Sequence, residues 1–323
     1  MSVLPYAVYA LCAGAAGYWN DIPQPGSLAY TPSPVHHFRG LYENDVIFGQ
    51  DRNYTHGTRL DYAEVMRNGN AWGLSIMQNI YTPETHTKHR VEGEHPYCGY
   101  LAFGAAYMKR GVNFGCSTEA QFGTTGRPSL AGQFQNGLHD TFGMKTWDGW
   151  DDQIPFEMTF QLTSRQEWRV RRWEKSPVMG WQTDGSVYLQ EAVGTFNVSG
   201  GVGMTYRFGR NLPNSSRVTG NRAAVFGLDV LEKPDYNRSA SSYFIAFEGL
   251  LNYVAHDLTV DGGVFHDFER SCARMPWQPE ARLGACVIYH GIEYYVGGLV
   301  RGRTYKTQSE RSLIGVFSIA WHW

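Results

Sequence analysis

The segment Tyr243-Phe244-Ile245-Ala246-Phe247-Glu248-Gly249-Leu250-Leu251-Asn252 decides the fold class, because its apolar residues follow a period of two. One face carries large apolar side chains: Tyr243, Ile245, Phe247 and Leu251. The other face is mixed: Phe244, Ala246, Glu248, Leu250 and Asn252. Successive side chains of a β-strand point to opposite sides, so the segment is predicted to be a strand with one apolar face and one partly polar face.

The last residues of the chain repeat this pattern. One face again carries mostly large apolar residues: Leu313, Gly315, Phe317, Ile319, Trp321 and Trp323. The last strand of an outer-membrane barrel typically ends on an aromatic residue, as this segment does. Strands that are apolar outside and polar inside suit a barrel in a bilayer, because closure leaves no exposed sheet edge.

Similar segments recur at regular spacing and are predicted to be further strands. They are Gly57–Met66, Trp72–Tyr81, Gly99–Met108, Asn113–Phe122, Phe156–Thr163, Trp168–Trp173, Ser186–Val193, Val202–Phe208, Ala223–Leu231, Leu283–Tyr289 and Glu293–Val300. We therefore predict an all-β fold with one domain over residues 41–323, an antiparallel transmembrane β-barrel. An ordinary soluble barrel is the alternative.

The composition agrees with a large lipid-facing surface. Charged residues are 18% of the chain and aromatic residues 15%, against roughly 25% charged residues in typical soluble domains. A formal net charge of −2 gives no reason to expect a nucleic-acid partner. Four cysteines lack paired CxxC spacing, which argues against a zinc ribbon and leaves disulfide pairing open: Cys98, Cys116, Cys272 and Cys286.

The N-terminal region is predicted to lie outside the barrel. Residues 1–17 resemble a secretory signal, with Ala13-Gly14-Ala15 as the cleavage-like site, although no Lys or Arg precedes the apolar part. A buried N-terminal strand or helix is the alternative. Residues 18–40 are rich in Pro, Gly and Ser and are predicted to be a linker or extension, in which the pair His36-His37 is solvated.

The stretch from Tyr42 to Gly57 contains a candidate metal site. Asn44 and Asp45 stand at the end of a predicted strand, and a polar turn from Asp51 leads into the next strand. Asp and Thr side chains together with backbone carbonyls are the hard oxygen ligands that Ca²⁺ prefers. A hairpin turn whose Asx side chains satisfy their own backbone is the alternative.

Residues 126–143 do not follow the strand pattern and are predicted to form a short helix over a rim or wall of the barrel. Pro128 and Ser129 suit a helix start, Gly143 suits its end, and an apolar stripe recurs every four residues: Leu130, Phe134 and Leu138. Gln135 and His139 are one turn apart on the same face. His139 is a titratable group held on a short rigid element, and a purely structural role is the alternative.

Together these pieces resemble the outer-membrane lipid A 3′-O-deacylase family. The matching segments run from about Tyr42 to Trp323 and keep their order. They are Glu43-Asn44-Asp45, Asp51 to Gly57, Tyr81-Thr82-Pro83 with Lys88, Pro96 to Leu101, the Gly126–Gly143 segment with Gln135, Asn136 and His139, Gly149 to Gln153, Val254 to Asp257, and Val260 to Gly263. Each segment alone is weakly specific, whereas the ordered set is specific.

The resemblance implies a barrel of about twelve strands in the bacterial outer membrane that acts on lipid A of lipopolysaccharide in the outer leaflet. It implies hydrolysis of an ester-linked 3′-acyl (acyloxyacyl) group with Ca²⁺ as cofactor. The implied catalytic residues are His139, Asn44, Asp45 and Thr55, with His139 activating water. The implied metal ligands are Asp45, Thr55 and Asn53, and the implied substrate contacts are Lys88, Arg52 and Gln135.

The sequence departs from the family at one position, because Lys145 stands six residues after His139 where a Glu is expected. An ammonium group there inverts the local charge and leaves reduced activity open. Five acidic residues are possible substitutes: Asp140, Asp148, Asp151, Asp152 and Glu157.

Three other interpretations stay open: an impaired enzyme, a non-enzymatic porin or scaffold, and an outer-membrane phospholipase. No G-x-S-x-G motif is present. A basic cluster is predicted either to contact lipopolysaccharide phosphates or to be a pore-lining or solvated face: Arg169, Arg171, Arg172 and Lys175. The oligomeric state is open.

Overall fold

The computed structural model describes residues 35–66, 70–110, 114–173, 180–213, 241–266 and 272–323. In these residues twelve antiparallel strands pair with their chain neighbours, and the first also pairs with the last to close a barrel. The strands are β1 Val35–Asn44, β2 Asn53–Val65, β3 Ala71–Thr82, β4 Cys98–Arg110, β5 Phe114–Thr125, β6 Met158–Trp173, β7 Gln182–Gly194, β8 Asn197–Arg210, β9 Ser242–Asp257, β10 Trp277–Tyr289, β11 Ile292–Arg301 and β12 Ser312–His322. The predicted closed, all-β architecture is confirmed.

The outer wall of the barrel is apolar, as the alternation predicts. On β9, Ile245, Phe247 and Leu251 are exposed, whereas Glu248 and Asn252 are buried in the interior. On β12, Phe317, Ile319 and Trp321 are likewise exposed. The described residues include no helix that is long and apolar enough to cross a membrane.

Charged side chains fill the middle of the interior. Arg59 bridges two carboxylates, at 2.7 Å from Asp61 and 2.7 Å from Glu119, and Asp61 also pairs with Arg39 at 2.5 Å. These four side chains are at most 1% exposed. A buried ion network is costly when one partner is missing, and here each charge has an opposite charge beside it.

The two ends of the barrel differ in the lengths of the connections between strands. The first residue of β1 and the last of β12 lie at one end, where the connections after β2, β4 and β10 are short, while the connection after β8, residues 211–241, is long and lies mostly outside the described residues. The other end carries the long connections 83–97, 126–157, 258–276 and 302–311. Outer-membrane barrels have short periplasmic turns and long extracellular loops, so the end with the long loops faces outward. Arg169 lies in the half of β6 away from the long loops, while Lys175 of the predicted basic cluster lies outside the described residues.

Several boundaries differ from the predictions. Strand β1 begins at Val35, so residues 35–40 belong to the barrel and not to the linker. His37 is buried and lies 3.0 Å from the ring of His322, which corrects its predicted solvation. The two segments predicted at Phe156 and Trp168 form one strand, β6. Residues 1–34 and the strand predicted over Ala223–Leu231 lie outside the described residues. Within the part of the chain that the structure describes, the cysteines form no disulfide.

Candidate active site

The loop between β1 and β2 is a compact turn that its own side chains hold. The Asn44 side-chain oxygen accepts a hydrogen bond from the Val46 amide at 2.7 Å, and one oxygen of Asp45 accepts one from the Arg52 amide at 2.9 Å. Gly49 has a φ of 72°, which favours glycine. The predicted Asx turn therefore exists, and it fixes the positions of both residues.

Asp45 has the properties of a cation ligand. Its side chain is fully buried, and its second oxygen, Oδ1, has no hydrogen-bond partner among the described residues. Burial raises the pKa of Asp45 to about 8, with the nearby Asp51 adding to the rise and the Arg52 amide opposing it. Buried carboxylates are normally paired or bound to a metal, so this oxygen fits a bound cation.

Of the other two implied ligands, Thr55 fits a cation site at Asp45 better than Asn53 does. The Thr55 carbonyl accepts the Asp45 amide at 3.2 Å, and its hydroxyl lies 2.6 Å from that of Thr82. Thr55 therefore stands beside Asp45. The Asn53 side chain accepts from the Tyr305 hydroxyl at 2.7 Å and donates to Glu84 at 3.4 Å, so its polar atoms serve a different network. Within the described residues, no group of three or more His, Cys, Asp or Glu forms a metal cluster.

The predicted helix is present as α1, Ala131–Phe142, after a 3₁₀ turn over Arg127–Ser129. It ends at Gly143 with a φ of 67°, as predicted. The helix packs directly on the barrel: a Cβ at Gly99 on β4 would overlap Ser129 and Ala131. This close approach turns Gln135 and His139 towards the barrel, where both are buried.

The tautomer of His139 follows from its contacts. Its Nδ1 lies 2.6 Å from the Lys145 carbonyl oxygen, which only accepts hydrogen bonds, so Nδ1 carries the proton. In the neutral imidazole, Nε2 therefore carries the lone pair, and it lies 3.9 Å from Oδ2 of Asp51. An imidazole held in this tautomer is suited to accept a proton at Nε2.

Position 145 serves the site through its backbone. The Lys145 side chain lies 5.4 Å over the ring of Trp147, while its carbonyl orients His139. Three of the acidic residues considered as substitutes have other partners. Asp151 pairs with Arg127, Asp152 pairs with Arg90, and Glu157 accepts hydrogen bonds from the amides of residues 264–266. The other two, Asp140 and Asp148, are exposed to solvent.

Asp51 is the carboxylate that faces His139, and the sequence reasoning did not assign it to the site. It accepts hydrogen bonds from the Trp147 indole at 3.1 Å and the Gln135 amide at 3.4 Å. Burial raises the pKa of Asp51, and the nearby His86 and His139 oppose that rise. Its place six residues after Asp45, in the same polar turn, was the available signal.

A groove of about 380 Å³ lies between α1 and the barrel wall. Its polar lining brings together Asn44, Thr55, His56, Gln135 and His139. The rest is largely apolar: Tyr42, Val46, Ile47, Ile80, Phe134, Leu138, Phe142 and Met144. The groove therefore offers an apolar channel that leads to a titratable imidazole.

Two implied substrate contacts lie outside this groove. Lys88 is exposed on the connection between β3 and β4. Arg52 pairs with Glu310 at 2.5 Å and so points towards the loop 302–311. Of the three implied substrate contacts, only Gln135 lines the groove.

Sequence comparison matches residues 8–323 to the family described as outer membrane protein LpxR. The chain belongs to the LpxR family. This confirms the resemblance to the lipid A 3′-O-deacylase family and, with the barrel, places the protein in the outer membrane. Comparison with curated protein sequences found no match.

Among solved structures, LpxR from Salmonella typhimurium has a TM-score of 0.74 at 17% identity, covering 90% of this chain and 99% of that chain. At this identity, the likeness shows the shared fold. The β domain of the Bordetella autotransporter BrkA has a TM-score of 0.42 at 10% identity, covering 90% of this chain and 98% of that chain. A TM-score this low supports no inference about this chain.

Proposed function

We propose that this LpxR-family protein is a Ca²⁺-dependent hydrolase that removes an ester-linked 3′-acyl (acyloxyacyl) group from lipid A. The observation that carries the proposal is the position of His139. Its free Nε2 lies in a groove that is apolar enough for an acyl chain, and the same groove contains Asn44 and Thr55. An acyl ester whose chain follows the apolar lining would present its carbonyl group to these polar residues.

His139 acts as the general base. Its Nε2 takes a proton from a water molecule as that water attacks the ester carbonyl carbon. The Lys145 carbonyl holds the required tautomer, and Asp51 stabilises the imidazolium that forms. When the tetrahedral intermediate breaks down, His139 returns the proton to the departing lipid hydroxyl, and a carboxylic acid is released.

Asp45 and Thr55 would hold Ca²⁺, whose chemistry when bound is to polarise the ester carbonyl and stabilise negative charge on its oxygen. Asn44 lines the same groove and orients the ester. Gln135 donates to Asp51 and keeps the carboxylate in place. Lys88 and Arg52 are proposed to contact lipid phosphate outside the groove.

The structure favours hydrolysis over the two other functions considered. A porin needs an open lumen, whereas a buried ion network of Arg39, Arg59, Asp61 and Glu119 occupies part of the interior of this barrel. A phospholipase with a serine nucleophile needs a serine at the histidine, and the described residues that line the groove include none.

The test is a mass measurement on lipid A incubated with the purified protein in detergent, with Ca²⁺ or with a chelator. We expect the loss of one acyl or acyloxyacyl unit with Ca²⁺, and no change with the chelator or with His139→Ala. The exposed His89 gives the matched control, because His89→Ala removes an imidazole outside the groove and should retain activity. If lipid A keeps its mass with the wild-type protein and every divalent ion tried, the proposal is wrong.

A further inference from the structure

A second groove, of about 880 Å³, lies on the outer wall of the barrel below the loop 302–311. It is separate from the groove at His139, and the two share no lining residue. Its lining comes from β10, β11, β12 and two loops: Gln50, Pro279, Glu280, Ala281, Val300, Gly302, Arg303, Ser309, Glu310, Arg311 and Leu313. The groove therefore opens to the membrane side of the extracellular rim.

The floor of this groove is apolar. Ala281 and Val300 are exposed on the outer face of their strands, and Leu313 follows on the next strand. This face belongs to the band that contacts lipid, so hydrocarbon chains can lie along it.

The upper part of the groove is positively charged. Arg303 and Arg311 are both exposed, and Arg303 donates to the Ser309 carbonyl at 3.0 Å, which fixes one arm of its guanidinium. Among the described residues, neither arginine forms an ion pair with a carboxylate. The two acidic lining residues are already neutralised, because Glu310 pairs with Arg52 at 2.5 Å and Glu280 pairs with Arg301 at 2.8 Å.

We propose that this outer groove binds a phosphate-bearing lipid of the outer leaflet, with the phosphate between Arg303 and Arg311 and the chains on the apolar floor. Guanidinium groups bind phosphate with charge-assisted hydrogen bonds, which suits these two arginines. The apolar floor below the two arginines gives hydrocarbon chains a surface to bind, so the site favours a lipid over a free anion. This inference concerns binding and does not rest on the proposed hydrolysis.

Gln50 connects the groove to the β1–β2 loop, in addition to the pair of Arg52 with Glu310. Gln50 donates to the Arg311 carbonyl at 3.4 Å and accepts from the Leu313 amide at 2.9 Å. Gln50 directly precedes Asp51, so a lipid seated in the outer groove contacts the loop that carries both site carboxylates.

Native mass spectrometry of the full chain in detergent tests the proposal by counting bound lipids. The probes are dioleoyl phosphatidic acid, dioleoyl phosphatidylcholine and inorganic phosphate. The test variant is Arg303→Gln/Arg311→Gln. The matched control is Arg127→Gln/Lys306→Gln, which removes two exposed cations at the same rim but outside the groove.

We expect the wild-type protein and the control to bind phosphatidic acid with one site that the test variant weakens at least about tenfold. Phosphatidylcholine, whose phosphate is shielded by choline, should bind this site weakly in all three proteins. Equal binding of phosphatidic acid by the test variant and the control overturns the proposal. So does full competition by inorganic phosphate at equal concentration, because that result identifies a free-anion site. The comparison of the two lipids on the wild-type protein remains decisive if the test variant does not fold.

Discussion

Replacing Asp45 with asparagine tests whether the buried carboxylate is a cation ligand, independently of any activity. The amide keeps an oxygen for the Arg52 backbone N–H and removes the charge that has no partner. In the metal-free wild-type protein, the carboxylate must ionise inside the protein when the pH rises. The amide group of the Asp45→Asn protein never ionises.

The size of the stability difference between the two proteins follows from the pKa of Asp45. Burial raises it from 3.8 to about 8, which corresponds to about 6 kcal/mol at most, with relaxation of the surroundings reducing the value. Because the folded pKa lies above the unfolded one, the stabilising contribution is complete below about pH 4 and is lost as the pH rises towards 8. At pH 9 without metal, we therefore expect the Asp45→Asn protein to be more stable than the wild type by a few kcal/mol.

Thermal unfolding in detergent at pH 9 is the assay, with either Ca²⁺ or a chelator present. Ca²⁺ should raise the midpoint of the wild-type protein, since a ligand bound only to the folded state stabilises it. It should leave the Asp45→Asn midpoint unchanged. Asp151→Asn is the control, because that side chain is 81% exposed and should retain the wild-type response. Equal stabilisation of the Asp45→Asn protein by Ca²⁺ would refute the reasoning.

Three further predictions concern neighbouring groups. Lys145→Ala should retain activity within about twofold, because the backbone carbonyl orients His139; a loss above tenfold in acyl release contradicts this. Asp51→Asn should lower kcat about 10- to 100-fold with little change in KM, as expected if Asp51 stabilises the imidazolium; steady-state kinetics that show only a KM effect would exclude that role. Arg59→Met should destabilise the barrel by about 3–5 kcal/mol, because two buried carboxylates lose their partner; unchanged unfolding in denaturant would argue against the ion network.

The barrel and the helix could be predicted because their signals are local. Alternation along β9 and β12 depends only on neighbouring residues, and each strand meets lipid on one side and a packed interior on the other. The end of α1 at Gly143 is likewise a local property of glycine at positive φ. Strand β1 was missed between Val35 and Gly40 because its pairing with β12, at the far end of the chain, overrides a Pro- and Ser-rich neighbourhood.

Contacts at the site could not be predicted from the sequence, because they join residues that are far apart in it. Asp51 is held facing His139 by hydrogen bonds from residues far along the chain, namely the Gln135 amide and the Trp147 indole, which is 96 residues away. The effect of Lys145 on activity stays a prediction, and the contact that this position makes with His139 could not be predicted for a related reason. A comparison of residue types assumes that the side chain carries the function, whereas His139 contacts the carbonyl group, which every residue has.

The position of His139 relative to the β1–β2 loop depends on tight packing beneath the helix. A side chain at Gly99 would overlap Ser129 and Ala131, and a Cβ at Gly132 would lie 2.7 Å from the ring of Trp150. Trp150 in turn donates to Gln135 at 3.1 Å, and Gln135 donates to Asp51. A larger residue at either glycine would push the helix outward and break this chain of contacts. Tight packing at these two glycines therefore supports the separation of 3.9 Å between Nε2 of His139 and Oδ2 of Asp51.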